Sequence, residues 1–413
     1  MSIAQTSAAR IYWHLGTLLI TMITARYLGP DGRGIYAAAV GWVMLFSTVA
    51  QLSLGQVALY VAAGKPPAQW LAPLVGTLLA IAGGATAIGW SVAAAMYALS
   101  HGAVFHRLDG TVFVLAFLCL PAFLWIDIGH GVLMALGRLR VMNAAVAAGA
   151  TVWLVLSVVL LAGLGLGVPG ALLAMLLGHV ATAAVTLGWT LRGLDVRVSG
   201  SMARALFGGA LKLHMNAIGT YLFAQANVLI INQYRPASET AYYQLAVQIA
   251  MGLQIVATSV SAVSYSVVSA RGPDAAWPEQ RMLLLRTLAL TSLLAVLAYL
   301  LAPFALRLVF GAAFLPTVPL LRILLLGTPG MTLSVVMASQ WIGRGLFLQA
   351  ALLTLLIGVV TAGASALVVP SHGAAGAAWV MVGTYAISIV GNGGMVLWVE
   401  RRARRRGAAS VLL

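Results

Sequence analysis

Polar residues recur on one side of the first apolar stretch of this sequence. Arg10, His14, Thr17, Thr21 and Thr24 follow one another at steps of three or four residues, and this spacing places side chains on the same face of an α-helix. We expect this polar face to line a water-filled cavity that receives a polar ligand. The alternative is that the threonines donate hydrogen bonds to their own helix and that Arg10 extends to bulk water.

A second set of polar side chains lies in two later apolar stretches. Amides and hydroxyls are costly in an apolar medium, so these side chains are expected to face protein or water. Either they line the same cavity, or they form hydrogen bonds that hold neighbouring helices together. The candidates for ligand contact in this set are Lys212, Tyr221, Gln225, Asn227, Gln244 and Gln248.

One carboxylate lies deep inside an apolar stretch. Asp127 is followed by His130 one helical turn later, so the two side chains share a helix face. Such a pair is suited to bind a proton or a sodium ion whose movement is coupled to transport. Alternatively, Asp127 is a structural partner of an arginine or of a neighbouring helix.

Patterns typical of catalytic and nucleotide-binding sites are missing from the sequence. It contains no HExxH and no GxxxxGK[ST] motif, and its loop carboxylates are scattered. The single cysteine, Cys119, excludes an intramolecular disulfide and a cysteine-based metal site. We therefore expect no enzymatic activity, no ATP-driven transport within this chain, no metal site and no cofactor other than a coupling proton or sodium ion.

The composition is that of a polytopic membrane protein. Hydrophobic residues make up 62% of the 413 residues and charged residues 8%, whereas soluble domains carry about 25% charged residues. The basic residues are dispersed between apolar stretches, which argues against nucleic-acid binding. We predict an all-α fold of about twelve membrane-spanning helices, at residues 11–28, 34–62, 72–99, 111–135, 142–164, 168–191, 204–232, 240–269, 283–306, 316–340, 346–369 and 374–398.

The distribution of charge predicts the topology. Most of the 23 Lys and Arg residues fall on one side if both termini are cytoplasmic, as the positive-inside rule requires. Glycine-rich helix starts, GVPGALLA and HGAAGAAWV, and the segments GRGIYAAAV and SETAYYQLAV suggest two related six-helix lobes, residues 1–198 and 199–398. The basic tail, residues 399–413, is expected to bind anionic lipids.

The segment ARYLGPDGRGIYAAAV, residues 25–40, joins the first two apolar stretches through a turn that contains Gly29, Pro30, Asp31 and Gly34. This segment closely resembles the first-loop signature of polysaccharide biosynthesis flippases, the lipid-linked oligosaccharide branch of the superfamily that also holds multidrug-and-toxin extruders. Further similar segments follow in the family's order. They are LSLGQVALYVAA, IDIGHGVLMALGRLRVMN, FGAAFLPTVPLLRIL and HGAAGAAWVM.

The resemblance implies a two-lobed helical bundle in a bacterial cytoplasmic (inner) membrane, with a cavity that opens alternately to each side. Its cargo would be a polyprenyl-diphosphate-linked oligosaccharide of the kind used for O-antigen or exopolysaccharide. In such a transporter Arg10, His14, Arg26 and Lys212 would contact the diphosphate, and Gln225, Asn227, Gln244 and Gln248 the sugars. Asn227 replaces an acidic residue of many relatives, which weakens a cation-binding role there.

Two other functions remain open. A cation-coupled multidrug exporter would have the same fold, with acidic residues in its cavity. A membrane protein that does not transport, but positions glycan polymerases or ligases, would share the composition. Polymerase or ligase proteins are also possible partners of a flippase.

Overall fold

The chain is helical over almost its whole length. The computed structural model describes residues 3–100 and 102–410, with side chains except those of residues 3–11, 14, 211–212 and 406–410, and this part contains no strand. By length and apolar composition, seven helices of the described chain qualify as membrane spans, or nine if two bent helix pairs each count as one. The all-α membrane fold is confirmed, while the number of twelve spans stays a prediction.

Fourteen α-helices make up the described chain. A π-helical turn, Val158–Gly163, extends α6, and a 3₁₀ turn, Ala312–Phe314, precedes α12. The helices are α1 Ile3–Gln51, α2 Leu54–Ala62, α3 Pro67–Leu99, α4 Gly110–Phe117, α5 Leu120–Ala135, α6 Leu139–Ser157, α7 Gly167–Leu191, α8 Gly200–Tyr234, α9 Ala237–Leu253, α10 Ile255–Arg271, α11 Pro273–Val309, α12 Thr317–Leu325, α13 Thr328–Gly343 and α14 Phe347–Ser410.

The order of helices occurs twice along the chain. The helices α3 and α11 both begin at a proline after a short loop, and α5 and α13 both have 16 residues. Gly167 starts α7, and Gly373 interrupts α14 with non-helical dihedrals, φ 59° and ψ −151°. Corresponding helices keep a nearly constant separation in sequence, so we treat α1–α7 and α8–α14 as two structural repeats.

Four of the predicted helices are interrupted in the structure. The breaks separate α1 from α2, α4 from α5, α9 from α10 and α12 from α13, and the last two pairs bend by 42° and 51°. Leu52 and Ser53 at the first break have positive φ, 48° and 54°. The prediction treated each pair as one helix. Pro121 and the Gly327 and Pro329 pair are sequence signals at two of these breaks, whereas Leu52 and Ser53 carry no such signal.

Contacts between residues divide the chain into two compact units. The first unit contains residues 1–221 and 236–241, and the second contains residues 222–235 and 242–413. In the first unit an aromatic cluster surrounds the fully buried Phe105, whose ring centroid lies 4.7 Å from that of Trp42 and 5.0 Å from that of Phe113. Phe105 follows Gly102, and Phe314 follows Gly311 in the same GAxF sequence of the second unit, also fully buried.

The basic linker between α7 and α8 is fixed to the first unit. The Ser199 amide donates to Thr77 Oγ1 at 3.0 Å, and the Arg197 amide donates to the Ala72 carbonyl at 3.3 Å. A Cβ on Gly76 would overlap the Arg197 backbone, so glycine is what lets the linker lie against α3. The linker is therefore part of the first unit's packing.

Candidate functional site

The signature segment contains the kink at which the two helical parts of α1 meet. Only Gly29 leaves helical geometry, with φ 63° and ψ −179°, and Pro30 follows it inside α1. A positive φ is readily adopted by glycine, and proline at the next position starts the second helical part with its fixed φ. Asp31 is exposed. The expected turn is thus tighter than a hairpin loop, because the helix resumes immediately after the glycine.

Gly34 is the residue of this segment at which a close helix contact depends on the absence of a side chain. A Cβ at Gly34 would overlap the backbone of Ala237, the first residue of α9. Both residues belong to the first unit. Because the obstacle is backbone and cannot rotate away, the segment fixes how α1 crosses the start of α9.

The polar face of α1 is partly committed to bonds within the helix. The hydroxyls of Thr17, Thr21 and Thr24 donate to carbonyls of the preceding turn at 3.0, 2.8 and 2.8 Å. Thr24 is fully buried. The side chains of Arg10 and His14 lie outside the described residues, as does that of Lys212, and Arg26 is exposed.

The polar residues of α8 and α9 have different surroundings. Tyr221 is buried and its hydroxyl donates to the Gly41 carbonyl at 2.8 Å, within the first unit. In the second unit, Asn227 is fully buried and its amide donates to the Tyr243 hydroxyl at 2.7 Å. Gln225 is half-buried and Gln248 is exposed.

Among the predicted ligand contacts on α8 and α9, two amide oxygens are buried without a hydrogen-bond donor in the described part of the chain. They are Asn227 Oδ1 and Gln244 Oε1, and neither has a partner among the described residues. An unsatisfied buried carbonyl oxygen costs about 1–3 kcal/mol. These oxygens are therefore the predicted site residues with the clearest unused capacity to accept a hydrogen bond from a ligand.

Asp127 and His130 lie where α2 crosses α5. A Cβ on Gly55 would overlap the Asp127 carbonyl, and a Cβ on Gly131 would overlap the Gly55 backbone, so two glycines bring these helices together. The Asp127 side chain is exposed and His130 is half-buried. His130 Nε2 has no hydrogen-bond partner within the described part of the chain, and no bond joins the two predicted coupling residues there.

A buried polar cluster in the second unit was not predicted. Gln280 donates to Ser339 Oγ at 2.7 Å and contacts Gln340, which also donates to the Pro273 carbonyl at 3.1 Å. Arg344 donates to Gln340 Oε1 at 3.1 Å and forms an ion pair with Asp274 at 2.7 Å. The Arg344 side chain is only 3% exposed, so the cluster neutralises a buried charge.

The first repeat is apolar at the same positions. Aligning α3 with α11 and α5 with α13 from their first residues places Leu74 opposite Gln280, Val132 opposite Gln340, and Leu136 opposite Arg344. Leu74, Val132, Gln280 and Gln340 are all fully buried. The two repeats thus share a helix arrangement but are held together by different interactions. The sequence of one repeat alone does not predict the polar cluster. The signal that could have found it is the comparison of polar residues in the second repeat with apolar residues at the same positions of the first.

Arg33 is a further buried charge, in the signature segment itself. It is 3% exposed and its guanidinium carbon lies 5.3 Å from the ring centroid of Tyr36. The Tyr36 hydroxyl in turn contacts Met175 Sδ at 3.5 Å. The structure thus buries Arg33 within the first unit against an aromatic ring, although it lies only four residues after the kink at Gly29.

The fold is similar to that of solved membrane transporters, among them one of the MOP superfamily. The structure is similar to an inward-facing multidrug resistance MATE family transporter of that superfamily, at 17% sequence identity and TM-score 0.72, over 94% of this chain and 95% of the other. It is also similar to the lipid II flippase MurJ in an inward closed conformation, at 13% identity and TM-score 0.76, over 94% and 86% of the two chains.

A family model matches the middle of the sequence, over less than half of its length. A family described as "Polysaccharide biosynthesis protein" matches residues 140–319, from the start of α6 into α12. Among curated protein sequences none matches. The resemblance drawn from the signature segment to the polysaccharide biosynthesis and flippase family is confirmed by this match together with the MATE and MurJ folds.

Proposed function

We propose that this chain is a flippase that moves a polyprenyl-diphosphate-linked oligosaccharide from the cytoplasmic to the outer leaflet by alternating access. The observation that carries the proposal is the match of residues 140–319 to a polysaccharide biosynthesis family on a fold shared with a lipid II flippase. A diphosphate and its sugars cannot cross hydrocarbon unaided, whereas a prenyl chain is soluble in it. The protein therefore needs a polar path for the head group alone. In this proposal it lies in a bacterial inner membrane with both termini cytoplasmic.

The free acceptors of the second unit suit a sugar. The oxygens of Asn227 and Gln244 are buried and have no donor among the described residues, and each sugar hydroxyl carries a hydrogen to donate. In this proposal Gln225 and Gln248 add further amide contacts, and Arg10, His14, Arg26 and Lys212 contact the diphosphate. Asp127 and His130 are the proposed site of a coupling proton or sodium ion, and the protein performs no covalent chemistry.

The experiment is translocation of a fluorescent lipid-linked oligosaccharide in proteoliposomes. We expect the double variant Asn227→Ala/Gln244→Ala to reduce the apparent affinity about fivefold or more per lost hydrogen bond, since each is worth about 1 kcal/mol. Gln69→Ala is the matched control, because Gln69 is an exposed amide at the start of α3. Full transport by the double variant at normal expression would refute the assignment of the sugar contacts.

The competing function is cation-coupled export of drugs. It is favoured by the similarity to a MATE family transporter over 94% of the chain. Loading the same proteoliposomes with cationic dyes separates the two functions. Dye efflux that depends on Asp127, without movement of the glycan lipid, would replace the flippase proposal. If neither substrate moves but glycan assembly in cells requires the protein, a positioning role for polymerases or ligases follows.

A further inference from the structure

The last helix continues beyond its apolar part as a carrier of arginines. The helix α14 runs to Ser410, and Arg401, Arg402, Arg404 and Arg405 are all exposed on it. Arg401, Arg404 and Arg405 are spaced by three and four residues and share one face. The charges are thus held in a fixed pattern on a helix, in contrast to a polybasic segment without secondary structure.

Trp398 stands at the base of this charged helix. Trp398 is 43% exposed, and two guanidinium groups lie over its ring, that of Arg344 at 5.2 Å and that of Arg402 at 5.3 Å from the centroid. Tryptophan is enriched at the level of lipid head groups, where its ring meets hydrocarbon and its edge meets water. Arg402 therefore lies one helical turn beyond a residue suited to the membrane surface.

The base of the charged helix is also tied to the rest of the second unit. Glu400 forms an ion pair with Arg281 of α11 at 3.3 Å. Arg344, which packs on Trp398, belongs to the buried cluster that joins α13 to α11. A ligand bound at the base of α14 would therefore contact a region where α11, α13 and α14 are joined.

The carboxylate side chains described in the second unit all pair with arginines outside the end of α14. The three carboxylates of this unit are Asp274, Glu279 and Glu400. They pair with Arg344 at 2.7 Å, Arg271 at 2.9 Å and Arg281 at 3.3 Å. Among the described residues, the four exposed arginines have no ion-pair partner, so the described part of the unit supplies no counter-charge to them.

We propose that Trp398 with Arg401, Arg402, Arg404 and Arg405 forms a binding site for the phosphate groups of anionic phospholipids in the adjacent leaflet. The tryptophan lies at the boundary between hydrocarbon and water, and the arginines contact lipid phosphates on the polar side of that boundary. Occupation of the site draws the base of α14 against α11 and α13. Anionic lipid then stabilises the second unit, whatever substrate the protein carries.

The test compares the purified full-length protein in nanodiscs of phosphatidylcholine with and without phosphatidylglycerol. Lipids retained on the protein are counted by native mass spectrometry, and thermal unfolding is followed in parallel. We expect preferential retention of phosphatidylglycerol and a higher unfolding temperature in its presence. The variant R401Q/R402Q/R404Q/R405Q is expected to lower the preference for phosphatidylglycerol over phosphatidylcholine about tenfold or more. The reason is that each arginine near an anionic membrane surface adds to the binding free energy.

The matched control removes the same number of charges elsewhere. Arg138, Arg140, Arg192 and Arg204 are exposed residues of the first unit, and R138Q/R140Q/R192Q/R204Q is expected to retain the preference. Three outcomes overturn the proposal. They are equal retention of both lipids by the natural sequence, equal losses in both quadruple variants, and full stabilisation by soluble inorganic phosphate without anionic lipid.

Discussion

Removal of the Arg344 side chain tests how much a buried ion pair contributes to this membrane fold. In Arg344→Leu the position takes the residue type found at Leu136 in the first repeat. The change removes an ion pair at 2.7 Å, a hydrogen bond to Gln340 at 3.1 Å and the stacking on Trp398. The ion pair that is lost joins Arg344 to Asp274, whose side chain is 30% exposed.

The magnitude follows from these exposures. Breaking a fully buried ion pair costs about 3–5 kcal/mol, chiefly because the remaining charge is left without compensation. Partial exposure lets water solvate Asp274, so we expect a loss of about 2–3 kcal/mol in the free energy of unfolding. The control is Arg271→Leu, which breaks an ion pair of similar length, 2.9 Å, between side chains that are 63% and 42% exposed. An exposed pair contributes about 0–1 kcal/mol.

The assay is unfolding in mixed micelles with increasing SDS, followed by tryptophan fluorescence. A second variant isolates the cause, since Arg344→Leu/Asp274→Ala removes both charges and should recover at least half of the loss. Equal destabilisation by Arg344→Leu and Arg271→Leu would refute the argument from burial. No recovery in the double variant would refute the argument from the uncompensated carboxylate.

Three further predictions concern packing and accessibility. Gly34→Ala should abolish the peak of correctly folded protein in fluorescence-detected size exclusion, because the added Cβ meets the Ala237 backbone. The control Gly83→Ala adds a Cβ with nothing within 4 Å, so its elution profile should be unchanged. Gly311→Ala places alanine at φ 94°, and the resulting strain of about 1–2 kcal/mol should lower the thermal midpoint; an unchanged midpoint would contradict it. Cys119 is buried and should react with maleimide only after denaturation in SDS, so labelling of the native protein would show that α4 and α5 separate.

The sequence predicted the class of fold well because composition and charge placement determine it. A chain with 8% charged residues cannot form a water-soluble surface, and the Gly29–Pro30 pair marks a change of direction at the observed position. Helix ends were less accurate. The helix α11 begins at Pro273 rather than at the predicted residue 283, since the proline and charges near its start resemble a loop although they fall in the first turns of a helix.

The candidate site was predictable only in its residue types. Sequence periodicity placed Thr17 and Thr21 on one helix face. Periodicity does not distinguish a hydroxyl that faces a ligand from one that donates to its own helix, and the hydroxyls of both threonines donate to their own helix. The partners of Asn227 and Gln244 depend on which side chains approach from other helices. The Tyr243 hydroxyl accepts a hydrogen bond from the Asn227 amide, whereas no described residue donates to Gln244 Oε1, and neither fact follows from hydropathy.

The polar cluster of the second unit shows why a repeat can conserve geometry without conserving interactions. Apolar packing gives helices in a bilayer no advantage over lipid, so close fit must hold them, and Gly55 and Gly131 supply that fit where α2 crosses α5. In the second unit the Ser261 hydroxyl of α10 donates to the Val335 carbonyl of α13 at 2.8 Å, and Val335 is the residue opposite Asp127, whose carbonyl lies against Gly55, in the alignment of α13 with α5. A hydrogen bond replaces close backbone contact at the same crossing. The second unit therefore depends on matched polar partners, and its substitutions are expected to be tolerated in sets rather than singly.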